Sequence, residues 1–260
     1  MFNKSSLKQV IKQLLPHPIM ELLYFVRYRK QRFSSAYIYQ NLLKNLQGIE
    51  IGGPSVAFRV IPIYPVIASL DGVNFSITTM WEGSIDEGNT FRYFKNKTGR
   101  QFIQEASDLK DIKSNTYDFL ISSNCLEHVA NPLKALDEWV RVIKPKGYLL
   151  LVLPKKESNF DHKRFITLFE HMLDDYKNNI TEHDLTHLDE ILELHDLSKD
   201  AAAGSLEQFK ARSMNNFSNR GLHHHVFDMP LIKEIYKYYE IDLIQSDETS
   251  NDYFALGRLK

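Results

Sequence analysis

The sequence predicts an α/β fold built on a mostly parallel sheet, and three neighbouring features predict it. Residues 117–122 form a short apolar run of the kind that a strand buried on both faces gives. Leu133, Leu136, Val140 and Ile143 then recur at helical spacing behind Pro132. Gly147 opens a second apolar run over 148–153. Pro132 suits a first helical turn and Lys144-Pro145 stops the helix. A strand, a helix of about three turns and a second strand joined by short loops make a right-handed βαβ unit.

The other elements follow in order. Residues 1–47 read as a helical cap in two or three pieces, broken near Pro16 and Pro18 and around Ser34-Ser35. Leu14, Leu15, Ile19, Leu22, Leu23, Phe25 and Val26 give the cap an apolar face, and residues 27–32 a basic cluster. The cluster is a solvated rim or a docking point for a membrane surface or a partner complex. A first strand covers 48–52. Pro54, Pro62 and Pro65 leave little room for a full crossover helix before a second strand over 66–70. Residues 74–99 read as loop, with Trp81-Glu82-Gly83 at an exposed bend, and 101–105 as a third strand. After the fifth strand, 155–222 is a helical insertion with helices over 165–176, 185–197 and 207–217. Its place in the chain puts it over the carboxyl edge of the sheet, as a lid for an acceptor. A helix over 230–239 and strands over 241–245 and 253–259 close the chain in a hairpin. The expected division is a cap, 1–47, and one domain, 48–260, carrying the insertion.

Composition narrows the function. In 260 residues, a net charge of -1 argues against a protein that coats nucleic acid, and 43% hydrophobic content supports a packed core. One cysteine excludes an internal disulfide framework and fits a reducing cytoplasm. No apolar run reaches the roughly 18 residues of a spanning helix. Lys8, Lys12 and Pro16 interrupt what would be a signal-peptide core.

Leu126-Glu127-His128 and Ile143-Lys144-Pro145-Lys146-Gly147, set in that βαβ unit, resemble class I S-adenosylmethionine-dependent methyltransferases, in particular the type-11 group. The resemblance implies a Rossmann-like seven-stranded sheet with a closing antiparallel hairpin. It also implies S-adenosylmethionine as cofactor and S-adenosylhomocysteine as product. A nucleoside cofactor on such a sheet needs a tight turn after the first strand and an acid at the end of the second. Glu50-Ile51-Gly52-Gly53-Pro54-Ser55 supplies the turn and Asp71 the acid. Pro54 and Val56 stand where the family has glycines, so the contact falls to Gly52, Gly53 or Ser55. The resemblance further implies that Glu105 and Ala106 meet the adenine and that Ser122, Ser123 and Asn124 wrap the sulfonium side. Cys125 reads as packing.

Methyl transfer to a hydroxyl needs positioning and a base. His162, oriented by Asp161, is the expected base; Lys163 and Arg164 would bind an anionic group on the acceptor. His223 and His225 alternate in an extended segment and would face the same cleft as acceptor contacts. His183 and His187 have i,i+4 spacing, with His195 beyond them, but Asp184 stands where a hydrolytic metal motif has Glu, and no metal is expected. Together with residues 160–164, 170–176, 184–190 and 223–228, the chain resembles bacterial methyltransferases of surface and capsular polysaccharide synthesis. That implies O-methylation of a glycan sugar, a nucleotide-linked sugar or a phosphoramidate substituent, with no nucleic-acid partner. The alternative is a methyltransferase-like scaffold that has lost its cofactor through Pro54 and Val56. The closing hairpin and the absence of G-x-G-x-x-G count against a nicotinamide enzyme.

Overall fold

A computed structural model describes residues 34–260, so most of the expected cap, with its apolar face and basic cluster, lies outside the described residues. Helix α1 (Ala36–Leu43) begins just after Ser34-Ser35 and buries Tyr39 and Leu43. The Tyr39 hydroxyl donates to Asp247 Oδ2 at 2.8 Å, which fastens α1 to the far end of the sheet.

Strand β1 (Gln47–Ile51) is buried from Gly48 onward. A one-turn helix, α2 (Ala57–Val60), is all that the prolines leave of the first crossover. Strand β2 (Ser69–Asn74) starts where the expected second strand ends, because Ile67 is spent on packing beneath Phe58 and Tyr64. The expected loop of 74–99 is also corrected. It holds a two-residue ribbon, β3 (Thr78–Thr79) with β4 (Gly83–Ser84), and an edge hairpin, β5 (Gly88–Phe94) with β6 (Lys97–Ile103). Phe91 and Tyr93 face the core while Thr90 and Arg92 face water, a strand alternation too short to stand out among polar residues.

Strand β7 (Tyr117–Ser123), helix α3 (Pro132–Val142) and strand β8 (Ile143–Pro154) form the expected βαβ unit. Asn131 caps α3, accepting from the Lys134 backbone N–H at 3.1 Å, and Pro132 takes the first helical position. Gly147 is required where β8 passes β7, since a Cβ there would lie 2.6 Å from the Asp118 carbonyl oxygen. The insertion contributes α4 (Phe169–Lys177), α5 (Leu188–Leu194), α6 (Leu206–Met214) and α7 (Asn216–Asn219). Helix α8 (Met229–Tyr238) and strands β9 (Asp242–Glu248) and β10 (Asp252–Arg258) close the chain.

The main sheet has eight strands in the order β5-β6-β2-β1-β7-β8-β10-β9, one more than expected because β5 is added at the edge. Strands β6, β2, β1, β7 and β8 are parallel, and β10 enters antiparallel to β8. One face packs on α3 and α8 through Leu136, Trp139, Ile232 and Ile235; the other packs on Tyr39, Leu43, Phe58 and Tyr64. The five parallel strands end together at Ile51, Asn74, Ile103, Ser123 and Pro154, and the insertion departs from that edge.

Candidate active site at the carboxyl edge

The turn after β1 is held from below. The Glu50 carboxylate, fully buried, accepts from the Ser55 N–H at 2.8 Å and from the Tyr64 hydroxyl at 2.8 and 3.1 Å. Burial pushes Glu50 up to about 7, although the donors oppose it. Glu50 and the Ser55 N–H therefore shape the turn rather than line it. Gly52 sits at φ +80°, where a Cβ would meet Cys125 at 3.1 Å, so glycine is needed for both conformation and space. Burial raises the Cys125 thiol to about 12, which fits its reading as packing.

Asp71 is misplaced as the ribose acid. It pairs with Ile49 in mid-strand and accepts from the Arg100 N–H at 2.8 Å and the Tyr117 hydroxyl at 2.7 Å, so it braces the opposite part of the sheet. The error follows from the shifted register of β2. The residue at the carboxyl end is Asn74: its amide donates to the Gly53 carbonyl at 3.1 Å, and its buried Oδ1 meets no donor among the described residues. At the end of β6, Gln104 Oε1 is likewise buried with no donor among the described residues, while its amide donates to Asp111 at 2.6 Å. Two unanswered acceptors at adjacent strand ends suit the hydroxyl and amino groups of an adenosine, so the edge fits the cofactor.

Glu105, the expected adenine contact, is instead engaged by Arg220 Nη2 at 2.5 Å. Arg220 comes from the insertion and also lies over the Phe75 ring, holding the insertion across the ends of β2 and β6. The Ala106 carbonyl accepts from the Trp139 indole at 2.9 Å. Ser122 and Ser123 are buried at the end of β7, and Asn124 is exposed at φ 48°, turning the chain toward Cys125.

Beyond that turn, Leu126–His128 forms a single 3-10 turn on which a cluster is built. Ligand-capable atoms of Glu127, His128 and His223 all lie within 4.8 Å of one another. His128 Nδ1 donates to the Leu222 carbonyl at 2.9 Å, and its ring stacks beside Trp81 at 6.0 Å. His223 Nδ1 donates to Asp161 Oδ2 at 2.5 Å. Among the described residues, neither oxygen of the buried Glu127 carboxylate meets a donor. Burial raises Glu127 to about 7 and drives His128 down to about 3, with the charge of His223 adding to the latter. Burial also works against a charged His223, but the Asp161 carboxylate outweighs it and raises the imidazole. Asp161 in turn is held at about 2 by His223 and Arg164 against its own burial. The set is therefore a carboxyl poised near neutrality, a neutral imidazole and an imidazolium–carboxylate pair. Two imidazoles and a carboxylate could also take a metal ion.

The 161–164 reading is corrected in three places. Asp161 orients His223 rather than His162, because successive residues of this loop point apart. His162 donates instead to Asp196 Oδ2 at 2.9 Å, within the insertion. Arg164, 2% exposed, spans Asp161, Glu190 and the carbonyls of His223 and His224, so its guanidinium is spent on holding these segments together. Lys163 remains exposed. His225 does not share a cleft with His223; it packs among His171, His187 and Phe227. His183 stacks on Phe217 at 4.0 Å, and His195 pairs with Asp200. Glu127, His128, Asn74 and Gln104 are not among the site residues that the sequence predicts. Glu127 and His128 were in view as a family word, and their buried, unpartnered state is visible only in three dimensions.

Comparison with known proteins gives a methyltransferase domain family matching residues 85–151. An uncharacterized protein of Methanocaldococcus jannaschii is 50% identical over 46 residues, which are 18% of this chain and 20% of that protein. Among solved structures, a chain of a Haloferax volcanii complex containing the Trm112 methyltransferase activator aligns over 92% of this chain and 93% of its own, with 10% identity and a TM-score of 0.49. A SAM-dependent methyltransferase from Aquifex aeolicus aligns over 90% and 98%, with 12% identity and a TM-score of 0.44. The parallel sheet closed by an antiparallel β10 is the Rossmann-like methyltransferase fold, and S-adenosylmethionine is the cofactor that this fold and the matched domain imply.

Proposed function

We propose that this chain is a cytoplasmic S-adenosylmethionine-dependent methyltransferase acting on a hydroxyl oxygen of a small acceptor. The acceptor class we infer is a surface-glycan sugar, a nucleotide-linked sugar, or a phosphorylated or phosphoramidate substituent of a capsular polysaccharide. The single observation that carries the catalytic reading is the buried, donorless Glu127 beside His128 and His223 at the carboxyl edge. The acceptor class rests on the resemblance of residues 160–164 and 223–228. The exposed Lys163 and the raised His223 imidazole add cations that suit an anionic group. Among the described residues no helix is long and apolar enough to cross a membrane.

Bound S-adenosylmethionine supplies an electrophilic methyl carbon. Asn74, Gln104 and the Gly52-Gly53 turn would hold the cofactor. Glu127, ionised above about pH 7, takes the proton of the acceptor hydroxyl, because a base near the working pH transfers protons most effectively. The His223 imidazolium, kept charged by Asp161, stabilises the developing negative charge on the acceptor oxygen. His128 fixes the wall of the site through Leu222 and Trp81.

Release of S-adenosylhomocysteine should be measured over a panel of nucleotide-linked sugars, phosphosugars and capsular fragments. The proposal expects turnover with at least one hydroxylated acceptor and a loss of about 100-fold or more in Glu127→Gln. Turnover unaffected by Glu127→Gln would remove the base. The scaffold reading is favoured by one observation, the consumption of the Ser55 N–H beneath a turn whose Pro54 has no N–H; it predicts no cofactor binding at all.

A further inference from the structure

A second cluster joins the insertion to the extended segment before α8, beside Ala130 and the start of α3. His171 and Asp175 stand one turn apart on α4, His187 caps the start of α5, and His225 sits in the extended segment before α8. His171 Nε2 lies 3.0 Å from His187 Nε2 and 3.3 Å from Asp175 Oδ2, and Asp175 Oδ2 lies 3.6 Å from His225 Nε2. All four ligand-capable atoms fall within 4.8 Å of one another. Zinc bound tetrahedrally at about 2.0–2.1 Å sets its ligand atoms about 3.3 Å apart, so the set is close to the spacing that one ion imposes.

The chemistry of the cluster agrees with its geometry. Two imidazole nitrogens facing at 3.0 Å can make at most one hydrogen bond between them, whereas one cation satisfies both lone pairs. Among the described residues, the buried Asp175 Oδ2 meets no donor. His225 Nε2 has a contact of 3.3 Å to the Ala130 carbonyl, long for a hydrogen bond, which coordination would replace. Behind His187, Glu190 Oε2 lies 3.7 Å from Nδ1, on the side where metal-bound imidazoles carry a carboxylate. Three imidazoles and one carboxylate are a zinc-type donor set.

We infer that His171, Asp175, His187 and His225 bind one zinc ion, which fastens α4, the start of α5 and the segment carrying His223 to one another. The fold gives such a staple a purpose. The insertion has a small apolar cluster of its own, with Ile191, Ala203, Phe209 and Leu222 buried. Small units of this kind commonly rely on metals or disulfides, and the chain has a single cysteine. Because His225 is two residues from His223, the ion also steadies the Asp161–His223 pair.

The full chain, purified without a histidine tag, should hold about one zinc by elemental analysis. Chelation should lower the melting temperature, and cobalt added to the stripped protein should give the intense visible absorption of a tetrahedral site. His187→Ala and the near-isosteric Asp175→Asn should each bind zinc at least about 10-fold more weakly and lose the chelator effect on melting. Glu127→Gln, in the other cluster, should retain the metal. The inference is overturned if the wild-type chain neither retains zinc nor responds to it. It is equally overturned if Asp175→Asn and His187→Ala keep full stoichiometry, or if the zinc leaves with Glu127→Gln.

Discussion

A buried carboxylate that meets no donor is costly, and Glu127 is such a group beside two imidazoles. Its acid constant gives the proposal a pH signature. The base works ionised, so kcat/KM should rise through about pH 7 in the wild type, and Glu127→Gln should flatten that limb as well as lowering it. A pH profile with no limb near 7 would argue against Glu127. His162→Ala, by contrast, removes only a bond to Asp196 and should change turnover less than about threefold by steady-state kinetics. The histidines show where reading residues alone stops. Their number and alternation were evident, yet which carboxylate each meets depends on chain segments far apart in sequence: Asp161 for His223, Asp196 for His162 and Asp175 for His225.

Among elements, the β7–α3–β8 unit was legible because a proline, a capping asparagine and apolar spacing agree locally. Asn131 also donates from its side chain to the Asp175 carbonyl at 3.0 Å, tying the α3 cap to α4. Asn131→Ala should therefore cost about 1–2 kcal/mol, read as a lower denaturant midpoint with an unchanged slope. The β2 strand was misread by a few residues because Val66 and Ile67 are as apolar as a strand but pack beneath the first crossover. That slip moved the expected acid from the carboxyl end, where Asn74 stands, to Asp71 in mid-strand. The β5–β6 hairpin was missed for a different reason: one face is solvated, so its apolar signal is halved.

At the scale of the molecule, Glu50, Glu127 and Glu182 are all raised by burial from 4.5 to about 7. Between those values the folded chain holds protons that the unfolded chain has released, so stability falls as pH rises through about 7. The raised His223 adds in the same direction, since its contribution is present below 6.5 and lost as pH passes its folded value. Asp161 acts oppositely, contributing stability above 3.8 that is lost as pH falls through about 2. His128, His224 and His225, lowered by burial, oppose these groups up to about pH 6.5, so the melting temperature of Glu127→Gln relative to the wild type should rise from about pH 5 to pH 8, and an unchanged difference would contradict the raised Glu127 carboxyl. The parallel β7–β8 pair and the closing hairpin were readable from the order of elements, because strands joined by crossovers and tight turns allow few arrangements.

The most direct test of the account is a calorimetric titration with S-adenosylhomocysteine of the wild type, Asn74→Ala, Asp71→Ala and Glu127→Gln. The account predicts saturable one-site binding in the wild type, weakened at least about 10-fold by Asn74→Ala and left within about threefold by Glu127→Gln and by a folded Asp71→Ala. Absence of binding in the wild type would contradict it and leave the scaffold reading in its place; loss on Asp71→Ala with none on Asn74→Ala would overturn the assignment of the cofactor edge.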